Sequence, residues 1–220
     1  MTPLRRQAEP SFWGRYERRW LYESPGKKAT RPLHNWNVRA TPALPRKPLA
    51  YWFHALVRAE GEPRRCSYCD GPLGLESAET IDHFVPQSAC RELALAWDNL
   101  YPACTQCNST YKGARWSCRL VRPDLDPVED WFEFHAETGR LAPAPELDSG
   151  TRRRILLTIR TFQLNATSRC KQRQRFVREL DNALRTRDSG YIVEALTQGP
   201  YRFVARKFVA ANRKRMPSLV

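Results

Sequence analysis

The sequence predicts an α+β fold: a mainly helical chain around a small strand–loop–strand–helix core clamped by four cysteines. Three observations carry that expectation. Cysteines stand in two matched pairs, Cys66/Cys69 in CSYC and Cys104/Cys107 in CTQC. Short β-prone runs lie between the pairs, and a helical run follows them. Beyond residue 150, apolar side chains recur at helical spacing.

Residues 1–50 are basic, aromatic and broken by proline, with FWGRYERRW followed by ESPGKKATRP and TPALPRKP. Arg and Lys interleaved with Trp13, Tyr16 and Trp20 suit a grip on a nucleic-acid backbone with stacking on bases. The same pattern suits wrapping the protein's own surface or docking a partner. Leu49–Arg58 reads as a short buried helix leading into the first cysteine pair. Thr80–Phe84 alternates as a strand and is stopped by Pro86. Leu100–Ala103 makes a partner strand after Asn99. A helix follows from Thr105 through Arg115, with Asn108 and Lys112 at i, i+4 on one face. Asp126-Pro127 opens a segment containing WFEFHAETGRL, a hairpin turning near Thr138-Gly139. Ile155, Leu156, Ile159 and Phe162 share helical spacing, as do Phe176, Val177, Leu180 and Leu184. Gly199-Pro200 ends another helical stretch, and residues 201–214 form a last basic amphipathic segment. The organisation is a basic aromatic arm and helix at 1–55, a cysteine-framed core at 56–125, and a hairpin plus basic helical region at 126–220.

Charge divides the chain as composition does. Residues 1–50 hold 11 basic and 3 acidic side chains, residues 51–150 hold 9 and 16, and residues 151–220 hold 17 and 4, giving a net +14. Basic flanks suit a polyanion, most simply nucleic acid, because phosphate neutralisation releases counterions. Within the last flank, Lys171, Arg175 and Arg178 line one helix face at i, i+4, i+7, which serves equally as a solvated face or as a phosphate contact. The acidic middle calls for a role that uses carboxylates, and a divalent metal is one. No run of eighteen apolar residues is present and the start has no apolar stretch, so the expectation is a soluble cytoplasmic protein with no membrane segment.

Paired C-x-x-C knuckles in a chain without export signals indicate zinc rather than disulfides. Two residues between thiolates let both reach one tetrahedral ion, and two such pairs close a structural Zn²⁺ site through Cys66, Cys69, Cys104 and Cys107. The 34 residues between the pairs exceed a zinc-ribbon gap, so the zinc clamps an inserted segment. Cys90, Cys118 and Cys170 lack partners at useful spacing and are expected to be buried. His34, His54 and His135 are expected to serve packing or surface.

The insert reads ETIDHFVPQS, then AWDNLYPACTQCNSTYK. Asp82-His83 followed by Pro86, then Asn99-Leu100, then Cys107-Asn108 with Lys112, framed by the knuckles, resembles the HNH nucleases of the ββα-metal (His-Me finger) group. The last position of that motif is often histidine; here it is Asn108, a variant also found in active members. The resemblance implies a ββα-metal core stabilised by the Cys₄ zinc. In its chemistry His83 is the general base, near neutrality in its ordinary pKa. Asp82 and Asn108 offer hard oxygen ligands for one Mg²⁺ or Mn²⁺. The resemblance gives Asn99 the task of holding the loop and orienting His83 through a backbone contact, and Lys112 that of meeting phosphate from the helix face.

Beyond the motif, CSYC, IDHFVPQS, WDNLYPACTQCN, an Asp-Pro hairpin ending in Gly-Arg and FQLNATSRCKQR resemble one branch, the HNH subunit of bacterial Septu anti-phage systems (PtuB-like), also found beside some retrons. That likeness implies an SMC/ABC-like ATPase partner (PtuA-like) that restrains or directs the nuclease, and a role in defence against phage; DNA is the favoured substrate. RNA cleavage by the same fold, and a zinc-bearing nucleic-acid or protein-binding module that no longer cuts, are the competing expectations.

Overall fold

A computed structural model describes residues 1–23, 37–38, 46–58, 60–74 and 78–213, with residues 20–23 and 37–38 described by backbone alone. His34 and most of the two proline-rich stretches lie outside the described residues. The fold is α+β, as the residue pattern predicts. It divides into two compact units interleaved in sequence, one of Arg5–Glu62 and Thr80–Pro102, the other of Met1–Leu4, Pro63–Glu79 and Ala103–Val220. These spatial units cut across the three compositional segments.

The first unit is built on aromatic packing. Helix α1 (Trp13–Glu23), the short strands β1 (Asn37–Val38) and β2 (Lys47–Pro48), which pair antiparallel, and helix α2 (Leu49–Leu56) precede strand β3 (Glu79–His83). Two 3₁₀ turns, Arg91–Leu93 and Trp97–Asn99, then lead into β4 (Leu100–Cys104), which pairs with β3 in a two-stranded sheet. Pro48 immediately before α2 suits a helix start, since its fixed φ and missing N–H cost nothing there. Helix α2 buries Leu49, Ala50, Trp52 and Phe53 against Trp13, Trp97 and Leu100. The Trp13 and Trp97 rings meet edge-on at 4.8 Å, and Phe53 meets Trp97 at 5.3 Å. Both indoles find backbone acceptors, Trp13 Nε1 donating to Leu95 O at 2.7 Å and Trp97 Nε1 to Gln7 O at 3.0 Å.

This packing decides among the three expectations for the aromatic arm at one position. Trp13 is 0% exposed and belongs to the protein's own core, so it stacks on no base. Arg6 behaves likewise, donating to Trp97 O at 2.7 Å and lying 4.8 Å over the Tyr101 ring.

The second unit holds the first knuckle, the end of β4, a π-helix (Gln106–Lys112), α3 (Val128–Trp131), the antiparallel hairpin β5 (Phe132–His135)/β6 (Arg140–Pro143), and helices α4 (Ser149–Thr161), α5 (Thr167–Thr186), α6 (Ser189–Thr197) and α7 (Arg202–Ala211). The hairpin turns at Gly139, whose φ of +66° favours glycine. A Cβ there would lie 2.3 Å from Cys170 O, so the turn also needs glycine to approach α5. Asn165 fixes the other side of the hairpin, accepting from Leu141 N and donating to Leu141 O, both at 2.8 Å. Asp148 caps α4 by accepting from Gly150 N and Thr151 N, and Asp188 caps α6 through Tyr191 N.

Three expectations are corrected here. Leu156 does not share the buried face of α4; it is 53% exposed, because Ile155, Thr158 and Phe162 form the inner stripe and position 156 lies about 100° away from Ile155. Cys118 is exposed rather than buried, in the turn after the π-helix, and Cys90 is half-buried with its thiol against Glu92 at 3.3 Å. Only Cys170 of the three is buried, its thiol meeting Asn165 O at 3.5 Å.

Removing the Trp13 ring deletes its edge contacts and leaves Leu95 O without its donor. Trp13→Ala is expected to lower stability by about 3–5 kcal/mol in urea unfolding. Unchanged stability with weakened nucleic-acid binding would instead place Trp13 at an interface.

Candidate metal centre and active site

The four knuckle sulfurs converge. Cys66, Cys69, Cys104 and Cys107 place their Sγ atoms within 4.8 Å of one another, with Cys69 and Cys104 at 3.9 Å. Zn–S bonds of about 2.3 Å in a tetrahedron require sulfurs about 3.8 Å apart, so the set fits zinc with little adjustment. The backbone shapes each knuckle. In the first, Cys66 N donates to Gly71 O at 2.9 Å and Asp70 N to Cys66 O at 3.0 Å, with Asp70 at φ +62°. In the second, Cys107 N donates to Cys104 Sγ at 3.4 Å.

Asp70 does more than turn the chain. Its carboxylate accepts from Arg65 at 2.5 Å, from Thr2 Oγ1 at 2.5 Å and from Phe203 N at 3.0 Å, which ties the start of α7 to the first knuckle.

The thiols are in conflict without a cation. Burial pushes Cys66 and Cys107 well above the ordinary thiol value, whereas hydrogen bonds from Cys107, Cys66 and Cys69 hold Cys104 below it. A divalent ion taking four thiolates removes that conflict. Cys69 and Cys104 line a cleft of about 120 Å³ together with Arg169, Arg173, Gln172 and Tyr201.

In the other unit, Asp82 and His83 end β3 and Asn99 closes the second 3₁₀ turn. Asp82 is buried, at 1% exposed. His83 Nε2 lies 2.9 Å from Ala94 O. A carbonyl only accepts, so Nε2 carries the proton and Nδ1 is the basic nitrogen of the ring.

Asn99 staples the loop that makes this possible. Its Oδ1 accepts from Val85 N at 2.8 Å, and its Nδ2 donates to Val85 O at 3.1 Å and Leu93 O at 2.8 Å. Phe84 N also donates to Asn99 O at 2.8 Å. Val85 lies two residues beyond His83, and Leu93 directly precedes the Ala94 that holds the imidazole. One amide thus fixes both flanks of the histidine.

Asn108 and Lys112 stand on the π-helix, directly joined to Asn99 through β4. The helix is wound wider than the α-helix expected from the sequence: Gly113 N donates to Asn108 O at 2.6 Å, an i→i+5 bond that ends it. Such windings persist where surroundings over-determine them, frequently at functional sites. Lys112 is 1% exposed, enclosed by protein instead of standing on a solvent face. Lys171, Arg175 and Arg178 lie along α5, all three exposed on its outer side. His54 is half-buried on α2 and His135 is exposed at the end of β5.

Sequence reasoning passed over Arg169 and Arg173. Arg173 is buried, donating from Nε to Gly139 O at 2.8 Å and from Nη2 to Leu164 O at 2.5 Å. Arg169 donates to Cys107 Sγ at 3.1 Å. The signal was present: positions 169 and 173 extend the inward Phe176–Leu180 stripe at i, i+4, i+7, i+11, so they point inward with it.

Residues 66–113 match the HNH endonuclease family model. That span begins at Cys66 and ends one residue past Lys112, so it encloses the four cysteines together with Asp82, His83, Asn99, Asn108 and Lys112. The Septu protein PtuB of Bacillus thuringiensis is 32% identical over 74 residues, covering 32% of this chain and 28% of that protein. The chain therefore matches less than a third of the relative's length. Among the described residues no helix is long and apolar enough to cross a membrane.

Asn99→Ala would strip both loop flanks of their partners. A loss of at least about 2 kcal/mol in denaturant unfolding is expected, since each stranded buried group costs about 1–3 kcal/mol. A variant as stable as the parent would show that the loop holds itself.

Proposed function

We propose that this chain is a metal-dependent HNH endonuclease hydrolysing phosphodiester bonds, with DNA favoured, and that it is the nuclease of a Septu-type anti-phage system acting beside an ATPase subunit. The observation that carries the nuclease reading is the HNH match over 66–113, which encloses a histidine already held in the tautomer a general base needs. The similarity to a Septu protein PtuB supports the defence role. The ATPase partner rests on the branch resemblance, and the choice of DNA over RNA is left to the cleavage test below.

In this reading His83 Nδ1 takes a proton from water as the water oxygen bonds to phosphorus and the ester P–O bond breaks. Ala94 O holds Nε2–H and stabilises the imidazolium that forms. Asn99 keeps that geometry through Val85 and Leu93. The Asp82 carboxylate and Asn108 amide oxygen are hard donors that fit Mg²⁺ or Mn²⁺, whose charge would neutralise the phosphate and the leaving oxygen. Lys112 adds positive charge from within the π-helix. Zn²⁺ on the four cysteines is structural, since four thiolates leave no open position. Lys171, Arg175 and Arg178 supply phosphate contacts along α5.

The test is cleavage of plasmid DNA, single-stranded DNA and total RNA with Mg²⁺, Mn²⁺ or EDTA. Cutting of DNA is expected with divalent ion alone or once the ATPase subunit is added, and His83→Ala is expected to lose at least about 10²-fold in rate while folding normally. Preferential cutting of RNA would establish the RNA reading. Binding without cutting, in the presence of the ATPase subunit, would establish a non-catalytic module.

Replacing Lys171, Arg175 and Arg178 by Ala is expected to weaken nucleic-acid binding uniformly across sequences. The slope of log K against log salt should fall by about 0.9 for each duplex phosphate that the variant no longer neutralises. An unchanged slope would show that the stripe is only a solvated helix face.

A further inference from the structure

Arg169 occupies a place that no surface cation would. It is 4% exposed, on the inner face of α5, and its partners belong to the cysteine-framed region or to the segment packed on it. Its Nη2 donates to Cys107 Sγ at 3.1 Å, its Nη1 to Phe162 O at 3.1 Å, and its guanidinium lies 5.0 Å over the Tyr111 ring. Phe162 in turn stacks on Tyr68 at 4.0 Å and 19°, and Tyr68 is the residue just before Cys69 in the first knuckle. Arg169 therefore holds the second knuckle directly and reaches the first through Phe162.

Two consequences follow from charge and geometry. Four thiolates on a divalent ion leave a net charge of −2 in a site where Cys66 and Cys107 are buried, and an uncompensated buried charge is costly. A guanidinium hydrogen-bonded to one of the sulfurs offsets part of it. Cys107 and Tyr111 are four residues apart on the π-helix, and Asn108 lies between them. Arg169 grips that helix on both sides of the proposed metal ligand.

We propose that Arg169 is the positioning residue of this centre: its N–H···S bond to Cys107 tunes the zinc thiolates, and its double grip on Cys107 and Tyr111 fixes the helix that presents Asn108. The inference rests on the zinc and HNH readings given above. Lysine is a poor substitute, because an ammonium cannot reproduce the planar fork that serves a sulfur, a carbonyl and a ring face together. Partners of metal ligands of this kind typically influence metal affinity about 10–100-fold.

The experiment loads the full chain with Co²⁺ in place of Zn²⁺ and records the thiolate-to-cobalt charge-transfer band, alongside zinc affinity by chelator competition. Removing a hydrogen bond from a thiolate raises the energy of its lone pairs, so Arg169→Met is expected to shift that band to longer wavelength and to weaken zinc about 10–100-fold. The Mg²⁺ concentration for half-maximal cleavage should rise as well, because Asn108 is less well held. Arg169→Lys, which keeps the charge and the aliphatic stem, should fall between the parent and Arg169→Met, and it decides the matter if the methionine variant fails to fold. A band and an affinity unchanged from the parent in a folded variant would overturn the inference while leaving the zinc reading intact. A parent chain that takes up neither Co²⁺ nor Zn²⁺ would overturn both.

Discussion

Convergence of four sulfurs is the constraint on which the rest of the structure depends. Cys66 and Cys69 are separated from Cys104 and Cys107 by 34 residues, yet all four Sγ atoms lie within 4.8 Å. Holding the ends of such a segment together costs loop-closure entropy, and a metal on four thiolates contributes on the order of 10 kcal/mol towards it. The closed segment contains β3, both 3₁₀ turns and most of β4, so β-prone runs too short to stand alone are held together. Strands of five residues, paired among the described residues only with each other, would be marginal alone.

Polar side chains, rather than extra strands, finish the job. Asn99 closes the loop after β3 by pairing with Val85 and Leu93, Asn165 pairs with Leu141 as a strand would, and Asp70 joins Arg65, Thr2 and the first turn of α7. Each is a short side chain whose donors or acceptors copy a backbone peptide or cap a helix. Larger hydrophobic surfaces cannot do this in a region of two-stranded sheets, because there is too little sheet face to bury.

Helix α5 has two characters on its two sides. Its inner stripe carries Arg169, Cys170, Arg173, Phe176, Val177 and Leu180, and its outer stripe carries Lys171, Arg175 and Arg178. The inner arginines are satisfied by a sulfur and by carbonyls, which is how a cation is tolerated away from water. A basic helix therefore contributes to the fold through some of its charges and offers the others to solvent. Composition alone assigns all of them to one class.

Much of the fold was legible in local pattern. Two-residue gaps between cysteines, alternation before Pro86, glycine after Thr138 and apolar residues at helical spacing each act over a few residues, so they specify the knuckles, β3, the hairpin and the C-terminal helices directly. Asp82, His83, Asn99 and Asn108 could be singled out as candidates for the same reason, since donor type belongs to the side chain and the motif spacing is local. Other features needed the tertiary structure. Trp13 is in the core because Trp97 and Phe53 arrive from distant segments, and Lys112 is enclosed although its helix position suggested a solvent face. The tautomer of His83 is set by Ala94 O, eleven residues away. Arg169 finds Cys107 across 62 residues of chain. Sequence spacing fixes which groups a short element presents; burial and long-range partnership depend on what the rest of the chain brings to that element.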